Sequence, residues 1–274
     1  MFPQTHVYFA EKVLGKINDA VALGSVFPDM AIGAGVNRDI SHSSGLEMLK
    51  FLGADRALRD FAMANITHGV NPDGLDYYGD EKNPPDERGY CFEKGRSLVE
   101  ATIKACNIPP EMGWWKAHNI VEMGIEMRIS ASGIYGQHLY TAFQNSSLIG
   151  IVCDRLAAFF GREPLPFVKR MSSFPSYIDL TCSTAESLAV KYDYQMYYKH
   201  SIHVNIAKVA KLISLAAEMV DDDIEDFFLS VTGKVKRTVS LIPEKSDRDS
   251  KITALSAVPS CRRRNPGARS QKPE

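Results

Sequence analysis

The stretch Trp114–Met127, reading WWKAHNIVEMGIEM, decides how the chain is read, because it sets an imidazole and a carboxylate one helical turn apart. His118 and Glu122 are four residues apart, so on a helix they stand one above the other on a single face. That spacing suits two ligands of one divalent metal ion. Trp114, Val121, Ile125 and Ile129 fall at three- and four-residue steps from the pair, which places the polar groups beside an apolar stripe and predicts their burial. A buried carboxylate needs a partner. For an isolated H-x-x-x-E, a core histidine held by its helix neighbour is the commoner arrangement, so the decision falls to the rest of the chain.

Towards the N-terminus, His6, Phe9, Ala10, Val13, Leu14 and Ile17 follow helical spacing, with Thr5 in the N-cap position. His6 therefore points where the apolar side chains point. In GSVFPD, Asp29 directly follows Pro28, which predicts a carboxylate held at a chain reversal. A Gly-, Asn- and Ser-rich loop from Gly33 to Gly45 carries His42. A helical stretch from about Leu46, broken near Gly53, ends at His68. The segment after it, GVNPDGLDYYGDEKNPPDERGY, is too polar for core and long for a plain connection, and reads as a functional loop or lid bearing Asp73 and Asp76.

Further helices are expected from Tyr90 to Cys106, from Tyr140 to Phe160 and over a long amphipathic pattern from Ser183 to Val220. The acidic run Asp221–Asp223 suits a helix N-terminus. No stretch alternates apolar and polar residues long enough to demand a strand, so the expected class is all-α. From Gly233 onward periodicity fades and the sequence turns basic, ending SCRRRNPGARSQKPE. This predicts one multi-helix domain over residues 1–232 and a basic, disordered tail over 233–274.

Composition narrows the functions. With 45% hydrophobic and 24% charged residues and a formal charge of −1, the chain is no electrostatic trap for nucleic acid or an acidic membrane. Its five cysteines form no C-x-x-C pair, which argues against a zinc ribbon or a disulfide framework and, with no signal-like or membrane-spanning run, predicts a cytoplasmic setting. Phosphate-binding glycine loops and the G-x-S-x-G elbow are absent, as is the His-Asp dipeptide of another helical metal phosphohydrolase class. His138, His200 and His203 match no motif.

The ordered set Thr5-His6, GSVFPD ending in Asp29, Ser41-His42, Thr67-His68 followed by Asp73 and Asp76, and His118-x-x-x-Glu122 resembles the zinc-dependent phospholipase C family. The S1/P1 nucleases look like relatives of the same helical scaffold. The resemblance covers roughly residues 1–130, and its specificity comes from five short motifs arriving in order. It implies that Asp29, His42 and His68 hold one zinc ion with an acid after His68, that His118 and Glu122 hold a second, and that His6 belongs to a third ion sharing the bridging acid. The family has that acid four residues after its histidine; here Pro72 stands there, so Asp73 or Asp76 must substitute.

The expected activity is a metal-dependent hydrolysis of a phosphodiester or phosphomonoester, with two or three zinc ions lowering the pKa of a bound water and clamping the phosphate oxygens. Asp29 would also orient the attacking water. Phospholipid is one candidate substrate, reached through peripheral membrane contact, and specific nucleic-acid binding is not expected. The competing expectation is a scaffold of the same fold that binds a metal or a lipid head group without turnover.

Overall fold

The computed structural model describes residues 1–242, and within them the chain is built from helices with no strand. In order they are α1 (Pro3–Leu14), α2 (Asp19–Gly33), α3 (Arg38–Ser43), α4 (Gly45–Leu52), α5 (Arg56–His68), α6 (Tyr90–Gly95) and α7 (Val99–Cys106). The second half contributes α8 (Gly113–Ser130), α9 (Ile134–Gln144), α10 (Ser146–Phe160), α11 (Leu165–Ser173), α12 (Ala185–His200), α13 (Ile206–Met219) and α14 (Ile224–Ser240). The all-α class read from the periodicity is therefore the observed one. The domain limit at residue 232 is not: α14 runs unbroken through Gly233 to Ser240, burying Val231 and Val235 on one face. Residues 243–274 of the expected tail lie outside the described residues.

Two large apolar clusters fill most of the interior. One gathers Phe9 from α1, Ile120, Val121 and Ile125 from α8, Leu188 from α12, Ile213 from α13 and Phe228 from α14. The other gathers Leu23, Phe27 and Met30 from α2, Leu52 from α4, Phe61 and Ile66 from α5, Leu156 from α10 and Phe167 from α11. Helix α1 packs on α2, α5 and α8 and feeds Phe9 to the first cluster and Val7 to the second. It therefore joins the two halves, and the residues of interest lie along it.

Three local expectations change. Thr5 is not the N-cap: Phe2 is, with Pro3 in the first turn, where a missing N–H costs nothing, and Thr5 sits inside α1. Asp29 is not at a chain reversal, because α2 continues past Pro28 to Gly33. Proline normally breaks a helix interior, but here Val21, Leu23, Val26, Phe27 and Met30 are all buried, and their packing holds the helix together. His42 lies on the short helix α3, started by the Asn37 side chain accepting from the Asp39 amide at 2.8 Å, and not in a loop.

Helices α2 and α5 touch unusually closely. A Cβ at Gly24 would lie 2.8 Å from both Cα and the carbonyl carbon of Phe61, so only glycine permits the approach. That contact fixes Asp29 on α2 relative to His68 at the end of α5.

Candidate metal centre

His42 and His68 are each aimed by the outer nitrogen. His68 Nδ1 lies 2.6 Å from the carbonyl of Ser25, and His42 Nδ1 lies 3.0 Å from the carbonyl of Arg38. A carbonyl only accepts, so both Nδ1 atoms carry the proton and both Nε2 atoms present a lone pair. Neither Nε2 makes a hydrogen bond among the described residues, although both are buried. His6 is likewise buried with both ring nitrogens unbonded, and its ring stacks on that of His68 at 3.5 Å and 7°. Metal-ligating histidines are held as His42 and His68 are, by a second nitrogen donating to a fixed acceptor.

The carboxylate they face is Asp76. One of its oxygens lies 3.3 Å from His6 Nε2, and the other lies 3.5 Å from His42 Nε2 and 3.3 Å from His68 Nε2. Asp73 stands exposed outside the group. The loop explains the difference: Gly74 folds back against the end of α5, where a Cβ would meet the Thr67 carbonyl at 2.7 Å, and Leu75 enters the core. That turn leaves Asp73 on the outer bend and swings Asp76 inward. The acid that faces the histidines is thus Asp76 and not Asp73.

Three groups of potential ligands result, each with its ligand atoms within 4.8 Å of one another: His6, His68 and Asp76; Asp29, His42 and His68; and Asp80, His118 and Glu122. Seven of the eight residues expected at the site converge, Asp73 being the exception. Asp80 was not anticipated. It follows Asp76 by four residues, one turn on, and the intervening segment does coil, as a single wide turn over Tyr77–Glu81. The D-x-x-x-D spacing was thus the available signal.

The second unexpected group is the α-amino group of Met1. It is fully buried, 3.1 Å from Asp76 and 2.8 Å from Glu122. Burial alone would lower its pKa, but Asp76 and Glu122 hold it well above the ordinary value, so it is an ammonium. Asp80 is also pushed up, by burial and by the neighbouring Glu122. Asp76 is held well below the usual carboxylate range: burial opposes this, but the Met1 amine, His68 and His6 outweigh it. Burial takes His6 and His118 down to about 4, leaving neutral imidazoles, the form in which histidine ligates a metal.

Four acids are thus packed with four histidines around one ammonium ion, a donor set of nitrogen and oxygen atoms that zinc favours. Orphaned, buried and convergent Nε2 atoms fit the same reading.

Aromatic rings close the side near α8. Phe92 stacks on His118 at 4.2 Å and 16°, and the half-exposed Trp115 meets it edge-on at 5.1 Å. Trp114 donates from its indole nitrogen to the Phe92 carbonyl at 3.2 Å, holding the stacked ring in place. Tyr77 and Tyr78 are partly buried against each other, edge to face.

No family model, no curated protein and no solved structure matches this chain.

Proposed function

We propose that the protein is a zinc-dependent phosphoesterase, resembling zinc-dependent phospholipase C, that hydrolyses a phosphodiester or phosphomonoester. The observation that carries the proposal is the meeting of His6, His42 and His68, drawn from three separate helices, on the two oxygens of Asp76. Asp29, His42, His68 and Asp76 would hold one ion, His6 and Asp76 a neighbouring one, and Asp80, His118 and Glu122 another. Bound zinc would supply a Lewis acid for the phosphate oxygens and acidify a coordinated water.

The chain's own residues would do the rest. Asp29 is the cluster acid with a substantially exposed side chain, at 39%, so it faces an entering water. Burial alone would raise its pKa, but the neighbouring His42 and His68 lower it strongly. Asp29 therefore suits accepting a hydrogen bond from the water, orienting it, better than retaining its proton. Phe92 and Trp115 shield His118 from solvent, which strengthens the electrostatics of the second group.

The substrate is proposed as a phosphate ester, phospholipid or soluble. Among the described residues no helix is long and apolar enough to cross a membrane, so lipid would be met by peripheral contact. A cytoplasmic setting belongs to the same proposal and is supported by the free thiols of Cys91, Cys106, Cys153 and Cys182.

The test is elemental analysis of purified protein together with hydrolysis of nitrophenyl phosphate mono- and diesters. Zinc at one or more ions per chain, with turnover lost to chelator and restored by zinc, is the expected result. Turnover in rigorously metal-free protein would remove the proposal. Zinc uptake without turnover on lipid, nucleotide or nitrophenyl substrates would assign the chain instead as a binding scaffold.

A further inference from the structure

Helix α2 presents Asp29 to the cluster, and four residues on the same face brings Gly33 into line with it, one turn or about 5.4 Å along the axis. Against Gly33 lies the side chain of Arg170 from α11. A Cβ on Gly33 would stand 2.7 Å from its Cδ and 2.9 Å from its Cζ, so the arginine occupies the space that the missing side chain leaves. Its guanidinium is laid over the rings of Phe174 and Tyr177, with Cζ 4.9 and 5.1 Å from their centroids. Two aromatic rings thus flank the guanidinium.

Among the described residues the fork has no hydrogen-bonding or ion-pair partner. Its Nε is buried and makes no hydrogen bond among the described residues. The nearest acid along α2, Asp29, pairs with His42 and His68 instead. A half-buried cation at the C-terminal turn of a helix is favoured by the macrodipole, but that accounts for its charge and not for an unused, aromatic-clamped planar donor set. Leaving a buried donor unmet is costly, and arginine forks of this kind recognise the paired oxygens of phosphate or carboxylate.

We infer that Arg170 binds the phosphate group of the substrate at the mouth of the metal centre, donating to non-bridging oxygens that the metal ions do not take. The inference rests on the zinc-dependent phosphoesterase reading above and adds a residue to it. The role is one of binding and orientation: Arg170 neutralises the phosphate on the side of Asp29 and sets its rotation relative to the water that Asp29 orients. The same fork would serve a phosphomonoester or a phosphodiester, so it defines the phosphate end of the substrate and leaves the alcohol to the aromatic side near Trp115.

Calorimetric titration of inorganic phosphate into zinc-loaded protein tests this, with zinc content and thermal stability measured on each sample. Arg170→Gln is expected to retain zinc and to bind phosphate about tenfold more weakly or worse, the loss of a charge-assisted hydrogen bond. Arg170→Lys, which keeps the charge and loses the fork, should fall between. In Gly33→Ala the helix is favoured and the new methyl group displaces the guanidinium, so this variant folds even if Arg170→Gln does not, and it too should bind phosphate more weakly. Undiminished phosphate affinity in zinc-loaded Arg170→Gln, or in Gly33→Ala where the first variant fails to fold, overturns the role of Arg170 and leaves the metal reading standing. A parent protein that takes up no zinc overturns the metal reading, and the role of Arg170 falls with it.

Discussion

Asp76 stands at the centre of the site at the scale of single residues, touching three imidazoles and the Met1 ammonium with two oxygens. Even outer partners of metal ligands cost about 10- to 100-fold in affinity when lost, so Asp76→Asn should lower zinc affinity by at least roughly the upper figure. Asp73→Asn should leave it unchanged; a competition titration with a chromogenic chelator separates the two, and equal losses would contradict the geometry. Asp80→Asn should lower the zinc stoichiometry while leaving the Asp29, His42 and His68 group loaded. The histidines also make a prediction about pH. In chelator-treated protein His118 titrates near 4 and not near 6.5 because burial disfavours its charge. A lowered folded-state pKa stabilises above the unfolded value and is lost as pH falls, so His118 contributes stability above pH 6.5 that disappears by about pH 4. His68, raised by Asp76 against the effect of burial, works in the opposite sense. His118→Asn should therefore flatten the fall in urea-unfolding stability over that acid window, and an unchanged slope would mean that His118 is not buried neutral.

The elements show which of these features the sequence could disclose. His118 and Glu122 were legible because a helix fixes the relation between residues four apart whatever surrounds it. The choice between Asp73 and Asp76 was not, since it depends on Gly74 passing the end of α5, a contact between segments that composition does not record. Asp29 was found for the right residue and the wrong backbone: a proline usually ends a helix, and tertiary burial of α2 overrode that preference. Tertiary contact likewise holds α1 in place. Glu126, one turn beyond Glu122, accepts from the backbone amides of Gln4 and Thr5 at 2.9 and 2.8 Å and from the Thr5 hydroxyl at 2.7 Å. Glu126→Ala would strand two buried amides at about 1–3 kcal/mol each, so a loss of roughly 2–6 kcal/mol in chemical unfolding is expected, with zinc affinity falling because His6 loses its support. Gly24→Ala should also destabilise, despite alanine's helix propensity, because its methyl group would meet the Phe61 backbone. A variant as stable as the parent would show that α2 and α5 can separate without cost.

For the molecule as a whole, the centre lies where the two apolar clusters meet along α1, so ligands come from both halves: His42, His68 and Asp29 beside the second cluster, His118 and Glu122 beside the first. A metal bound there ties the halves together, and any ligand that binds only the folded state stabilises it by mass action. Zinc at about 100 times its dissociation constant should add about 2.7 kcal/mol. For a chain of this size that corresponds to a rise in melting temperature on the order of 5–10 °C. Chelation should lower the melting temperature without removing helical circular dichroism, because the Met1 ammonium still neutralises Asp76 and Glu122 and both apolar clusters remain intact. Magnesium should do little at the same concentration, since a hard cation that demands oxygen ligands is poorly served by three histidines in contact with one carboxylate. A melting temperature indifferent to zinc and chelator would mean that the buried acids are balanced by Met1 and the histidines alone. One that rises as much with magnesium as with zinc would mean that the carboxylates, and not the imidazoles, dominate the site.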